Sequence, residues 1–427
     1  MNSNQRSMEN DLVVTGYGAI APLGNDVEKV YAGLIRGDSG IRLIVTDEGD
    51  NPMTWMAGIV NDFDPKEYVH PRKTIKVMCR EIQMGFGASM QACKMAGITA
   101  GSIDPDRLGT VFSGEILFSE TEDVESIVRL CATNGQMNHS RWAAEAMENM
   151  HPLWMLKSLP NMTACHVGIA LDARGPNNTI TSEATSGLGA TLEAMNVIRR
   201  GMADVMIVGS SASRACFARL LQRHEEDYSK AYSNPASACK PFDSERDGTV
   251  SAECASAIVL ERRSHAIARK AKILGSIVGS ANLYVPSAHR WSGAQAATEK
   301  ILALLLERSG LGVESIDHVN SAANGTVKLD SAQAFGIANV LGNVPVVSYK
   351  GGLGDSISGA SLIELVSSIA GMCAGSIAPT TNHNRTGKDC PVDVISKSPK
   401  PRTRSTLIKL SNTHGGHCIG IAMSFEN

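Results

Sequence analysis

Between Gly175 and Arg200 the chain changes its period abruptly. Gly175-Pro-Asn-Asn-Thr-Ile-Thr181 is a turn leading into strand-forming residues, after which Leu188, Leu192, Met195 and Ile198 recur at spacings of three and four. That second spacing is helical, with one buried face. The two are joined by Thr181-Ser-Glu-Ala-Thr-Ser-Gly-Leu-Gly-Ala190, a run of small residues. A strand that turns sharply into a buried helix lifts one side chain clear of the backbone. It also aims the free N–H groups of the helix start at whatever that side chain meets. Enzymes of the α/β class keep nucleophiles on such elbows. The residue expected at this one is Ala184, and a methyl group cannot attack anything.

The strand, Gly-rich turn, helix and strand theme occurs twice. The spacing predicts helices over 75–98, 188–201, Gly293–Ser309 and Ser361–Met372. Strands are expected at Ala203–Gly209, Lys272–Gly279, Asp317–Asn320 and Val344–Ser348, and near Leu407 and Ile419. Two α/β halves, 1–265 and 266–427, follow from this, with insertions at about 41–70 and 105–165. A duplicated, doubly wound architecture places its site between the halves. Leu12–Gly24 reads as a strand opening into a Gly-rich loop, but its spacing is not that of a dinucleotide fingerprint, so no cofactor is expected.

Composition narrows the function. Forty Lys and Arg against 43 Asp and Glu give a net charge of −3, which offers no bulk attraction for nucleic acid or an acidic membrane. Neither an apolar run of about 18 residues nor a signal peptide is read from the sequence. Its ten cysteines are scattered, with no Cys-x-x-Cys pair. Reduced thiols, no metal and a cytoplasmic setting are the expectation.

Pro241-Phe-Asp-Ser-Glu-Arg-Asp-Gly-Thr-Val250, followed by Glu253, resembles the Pro-Phe-Asp-x-x-Arg-Asp-Gly stretch of β-ketoacyl-ACP synthases, the condensing enzymes of the thiolase superfamily. Val13-Thr-Gly-Tyr-Gly, Leu159-Pro-Asn-Met162, Gly175-Pro, Gly201–Gly209 and Gly415-Gly416 match that family in the same order. The resemblance implies a thiolase fold, duplicated α/β halves forming a five-layer αβαβα core. It also implies a chemistry that needs a Cys on the elbow to take the acyl chain. Two His residues then donate to the enolate formed when malonyl-ACP loses carbon dioxide, and a Lys orients one of them.

Matched residue by residue, only the Lys remains, as Lys350. Ala184 stands at the Cys position. Ala322 stands at the first His position, or Asn324 if the match is shifted to align Gly325-Thr326, and Asp355 stands at the second. The elbow is similar to that of chain-length factors, ketosynthase-like subunits of type II polyketide synthases that pair with an active ketosynthase. Glu183, Gly187, Leu188 and Ala190 agree, and Ala184 departs where Gln is usual. The implied role is a non-acylating subunit that shapes the acyl pocket, with an active ketosynthase or a second copy of itself and an acyl carrier protein as partners. Two other readings stay open. One is an acyltransferase or decarboxylase that uses Lys350, Asp355 and His414 without a covalent intermediate. The other is a homodimeric module that holds carrier protein or lipid.

Several residues carry expectations of their own. Lys350 and Asp355 read as an ion pair filling the vacated site. His414 is either a polar plug of the old cavity or, with His417, an acid–base or metal pair. Glu183, Met162, Gly415 and Gly416 are placed by the resemblance around the pocket. Glu115, in a chain-pocket segment, suggests a short or closed tunnel. His166 reads as a hydrogen-bonded core residue. Arg72, Lys73, Lys76 and Arg80 form either a carrier-protein docking cluster or a solvated helix face. Trp142, Trp154, Met147, Met150 and Met155 fit an interface, a tunnel wall or core filling.

Overall fold

The computed structural model describes residues 12–45, 52–115, 121–157, 159–215, 217–220 and 224–426. Eleven strands form one ladder. They are β1 (Leu12–Ile20), β2 (Leu108–Ser113), β3 (Asn177–Ile180), β4 (Val205–Ser213), β5 (Glu253–Arg262), β6 (Gly275–Tyr284), β7 (Ile316–Asn320), β8 (Pro345–Val347), β9 (Asp393–Val394), β10 (Thr406–Asn412) and β11 (His417–Ser424). Their order is β9-β8-β7-β10-β11-β6-β1-β5-β4-β2-β3. Each half runs outward from the centre in the same way: two antiparallel steps, then parallel ones. The halves meet where β1 pairs with β6 over three residues, Leu12 to Val14 against Ile277 to Gly275. This is the expected duplicated α/β architecture of the thiolase fold.

Helices complete the layers. On one outer side α1 (Arg80–Ala96) packs on β1, β5 and β4, and α2 (Met162–Leu171) packs on α1 and β2. On the other, α4 (Ala294–Ser309) packs on β6 and β11, with α5 (Val327–Leu341) against it. Between the halves lie α3 (Ser186–Arg199) and α6 (Ala360–Ala374), touching each other and strands of both. A helix with protein on every side has no need of a polar face, and α6 is buried continuously from Ala360 to Met372. Contrary to the sequence reading, Ile357–Ala374 is long and apolar enough to cross a bilayer, but it is 83 % buried inside the protein. Gly187 lies where the two central helices meet. A Cβ there would come within 2.8 Å of Ser361 Oγ and 3.0 Å of Leu362 Cβ.

The predicted elements are present with shifted ends. The helix expected from residue 75 starts at Arg80, after a 3₁₀ turn over Arg72–Val77. Within the expected insertions, Ile41–Val45 and Thr54–Gly58 pair as a hairpin, and helices Thr121–Cys131 and Trp142–Asn149 pack on each other. Met147 is 89 % exposed, and Leu153 and Met155 are also open to solvent. Core filling therefore does not account for Met147 or Met155, while Trp142, Met150 and Trp154 are half-buried.

One buried carboxylate fastens β5 to β1. Glu261 on β5 is fully buried. It accepts from Arg269 Nε and Nη2 at 2.8 and 2.5 Å, and lies 2.7 Å from His265 Nδ1. Thr15 of β1 donates to it as well. Burial pushes this carboxyl up, but the hydrogen bonds from Arg269, His265 and Thr15 outweigh burial and lower it from 4.5 to about 2. A depressed carboxyl contributes stability above its unfolded pKa and loses it as pH falls through the folded one. Glu261→Gln is therefore expected to lower stability by about 3 kcal/mol at neutral pH. In urea unfolding followed against pH, the gap to the parent should close between 4.5 and about 2. A gap independent of pH would contradict this.

Candidate functional site

The elbow forms as the sequence predicts. Strand β3 ends at Ile180, a short turn follows over Glu183–Thr185, and α3 begins at Ser186. Glu183 takes a left-handed φ of 48°, a conformation that costs a non-glycine residue free energy and must be imposed by its surroundings. Those surroundings are a set of short side-chain bonds. Ser182 N donates to Ser186 Oγ at 2.7 Å, Thr185 Oγ1 donates to Ser182 O at 2.7 Å, and Ser411 Oγ of β10 donates to Ala184 O at 2.6 Å.

Ala184 lines a cavity of about 130 Å³ together with Ala322, Asn324, Lys350, Asp355 and His414. The structure thus gathers around one cavity the positions that the resemblance matches to the condensing chemistry. Asp355 does not pair with Lys350 as the sequence suggested. It accepts from Asn324 Nδ2 at 3.0 Å and from the backbone of Ile357 at 3.1 Å. Lys350 instead reaches Glu364 Oε2 at 2.9 Å and Ala322 O at 3.3 Å. Glu364 wins because α6 carries it, itself buried, to within hydrogen-bond reach of the buried ammonium.

Glu364 has a second cation. Lys409, on β10 and fully buried, donates to the same oxygen at 2.7 Å, to Asn320 Oδ1 at 2.7 Å and to Ser321 O at 3.0 Å. Burial raises the Glu364 carboxyl, but the two ammonium groups outweigh it and hold it below its usual range. Burial and the neighbouring Lys350 lower Lys409 to about 8 against the pull of Glu364. For Lys350 the pull of Glu364 and Asp355 outweighs burial, and the group stays charged.

His414 lies 3.0 Å from Glu183 Oε2 through Nδ1, and its ring meets Trp291 edge-on. His417 is not its partner. One nitrogen of His417 contacts Ser182 and Thr185, and the other contacts Asn282. Among the described residues no three His, Cys, Asp or Glu side chains come together as a metal-holding group. Glu115 lies on the wall of an adjoining cavity, where Arg214 grips it with bonds of 3.1 and 2.6 Å and Ser358 N donates at 3.3 Å. Burial raises its carboxyl and Arg214 more than reverses that. Residues 116–118 of the same expected chain-pocket segment lie outside the described residues.

Other sequence expectations need correction. Met162 packs against the core beneath α1 and α2 and lines neither cavity. Gly415 and Gly416 make the β10–β11 turn. Gly416, at φ 104°, lies so close to Val285 O that a Cβ would come within 1.7 Å. Arg80 does not belong with Arg72, Lys73 and Lys76. Those three are exposed, whereas Arg80 forms an ion pair with buried Glu253 at 2.6 Å and donates to Val60 O. His166 is buried as expected. Burial lowers its pKa, opposed by a backbone bond at Val77.

The Pro241–Val250 stretch is a brace. Phe242 N donates to Asp330 Oδ2 at 2.8 Å, Asp243 accepts from Asn384 and Arg385, and Arg246 pairs with Asp389. Gly325, at φ 90°, rests against Gly248, where a Cβ would meet Gly248 O at 2.4 Å. The loop carrying Ala322 and Asn324 is held by these contacts.

Arg214, Glu364 and Lys409 were missed by the sequence reading. A single charge inside Leu362-Ile363-Glu364-Leu365-Val366 or Leu407-Ile408-Lys409-Leu410 is itself the signal that could have found two of them, since an unpaired buried charge is not tolerated.

Comparison with known proteins agrees with this fold. The model for "Beta-ketoacyl synthase, N-terminal domain" matches residues 9–266, and that for the C-terminal domain matches 271–384. The chain belongs to the β-ketoacyl synthase family. It is 28 % identical over 427 residues to 3-oxoacyl-[acyl-carrier-protein] synthase 2 of Synechocystis, covering 96 % of this chain and 97 % of the relative. In fold it resembles a β-ketoacyl synthase from Burkholderia phymatum (TM-score 0.83, 23 % identity, 98 % of this chain and 100 % of that one). It also resembles the ishigamide ketosynthase/chain length factor (TM-score 0.80, 24 % identity, 98 % and 99 %).

Glu364→Gln should leave two buried ammonium groups with no carboxylate, a loss of about 3–5 kcal/mol. Adding Lys409→Met should recover part of that loss, because it removes one of the two. Chemical denaturation of the parent, the single variants and the double variant tests the coupling, and strictly additive losses would contradict it.

Proposed function

We propose that the chain is a non-acylating, chain-length-factor-type subunit of a polyketide or fatty-acid-type β-ketoacyl synthase. It pairs with an active ketosynthase, shapes the acyl pocket at their interface and works with an acyl carrier protein. In this reading 1–265 and 266–427 are its two ketosynthase-like halves. One observation carries the proposal: Ala184, Ala322 and Asp355, which the family resemblance matches to the three reactive positions, line a single cavity. A methyl group forms no thioester, and losing one oxyanion donor costs about 100- to 1,000-fold in rate. The bidentate Glu115–Arg214 pair supports the reading from the tunnel side, since an apolar chain has no place among buried charges. Exposed apolar groups at Met147, Leu153 and Met155 suit a subunit contact. Arg72, Lys73 and Lys76 suit an acidic carrier-protein helix.

A second reading draws on the same cavity. Lys350, Asp355 and His414 all line it, so a carrier-protein-dependent acyltransferase or decarboxylase with reassigned residues stays in contention.

Co-expression with a neighbouring ketosynthase, size exclusion and intact-mass analysis after malonyl-ACP loading separate the two. The first reading predicts a 1:1 complex with the acyl thioester on the partner alone. A homodimer that releases carbon dioxide from malonyl-ACP by itself would favour the second. Ala184→Cys tests the site directly. The new thiol should be alkylated by iodoacetamide, yet condensation should stay below about 1 % of an active ketosynthase, since both His donors are still missing. Restoration of activity by this one change would overturn the reading.

A further inference from the structure

The cavity beside the elbow holds a group of side chains that this role leaves unused. Its volume is about 630 Å³, and Ser182, His417, Glu115 and Arg214 are on its wall. Ser182 Oγ lies 3.0 Å from His417 Nδ1, and His417 Nε2 lies 2.7 Å from Asn282 Oδ1. An amide oxygen only accepts, so it holds the imidazole proton on Nε2 and leaves Nδ1 with a lone pair toward Ser182. Thr185 Oγ1 is also near, 2.9 Å from His417 Nδ1 and 2.9 Å from Ser182 Oγ. Its own proton goes to Ser182 O, which leaves the Ser182 proton for the imidazole. Ser182 directly precedes the strained Glu183.

We propose that Ser182, His417 and Asn282 form a second, hydrolytic site that cleaves short, polar acyl thioesters. Nucleophile, base and orienting group follow one another within hydrogen-bond reach, the arrangement that activates serine in unrelated acyl hydrolases. Burial lowers the pKa of His417, opposed by Glu183, so the ring is a neutral base at neutral pH. Arg214 places a guanidinium on the same wall; its Nε and Nη2 are held by Glu115, which leaves Nη1 for a developing oxyanion. Gly114, Thr181, Glu183, Ser358 and Thr413 supply the rest of the lining, which favours a small polar acyl group over a long apolar one.

In the first step Ser182 Oγ bonds to the thioester carbonyl carbon while its proton passes to His417 Nδ1. The C–S bond breaks, and the thiolate leaves with that proton. Water then attacks the Ser182 ester, giving up a proton through His417 and releasing the acid as Oγ regains its hydrogen. The sum is thioester plus water to carboxylic acid plus thiol, with no change in oxidation state.

The intact chain, alone or in its complex, is treated with a fluorophosphonate probe and mapped by peptide mass. The expected result is one label, on Ser182, forming about 100-fold or more slowly in His417→Ala. If that variant does not fold, Asn282→Ala, altered at the exposed end of the chain of bonds, should slow labelling about tenfold or more. Malonyl-N-acetylcysteamine should release thiol and malonate with the parent, and only at the buffer rate with Ser182→Ala. No label on the parent, a label elsewhere, labelling indifferent to both variants, or thiol release unchanged in Ser182→Ala would each overturn the proposal. These readouts are made on this chain, so they stand or fall apart from its pairing with a ketosynthase.

Discussion

A single carboxylate holds the centre of this molecule together. Glu364 enters from α6 and binds both Lys350, at the turn after β8, and Lys409 on β10. Lys409 in turn holds Asn320 and Ser321 at the end of β7. Taking an ion out of water costs several kcal/mol, so none of the three charges is tolerable without the others. The helix, two strands and a turn are thereby fixed around one point. The same helix crosses α3 directly behind the elbow, where Gly187 leaves no room for a side chain.

That constraint explains why the cavity beside the elbow stays open. The small side chains of Ala184 and Ala322 could have let it collapse into packed core. They have not, because a wall carrying Lys350, Glu364 and Asp355 has to remain polar and hydrogen-bonded. Asn324 satisfies Asp355, and Glu183 satisfies His414. What remains is a small polar cavity in a condensing-enzyme frame, with a charged pair, Glu115 and Arg214, in the adjoining space.

The fold was legible because its signals are local and repeated. Period changes marked the elbow, Gly293–Ser309 and Ser361–Met372, and short apolar runs marked the buried strands. The site was legible as a set of positions, and the emptiness of Ala184 could be read directly. Its contacts were less so. Five residues separate Lys350 from Asp355, but the lysine's partner is Glu364, and sequence spacing cannot rank a near neighbour against one delivered by another helix. Arg80 looked like one of four surface cations until buried Glu253 was seen to claim it. The Ser182–His417–Asn282 chain of bonds joins residues 235 and 135 positions apart, and no local pattern announces it.

The most direct test of the account is carbon dioxide release from malonyl-ACP by the isolated chain, with any thioester hydrolysis scored separately as malonate. With a methyl group at Ala184 and neither His donor present, carbon dioxide should form no faster than in buffer with malonyl-ACP alone. Turnover to carbon dioxide by the chain without a partner would contradict the account, for the cavity around Ala184 would then be an active site.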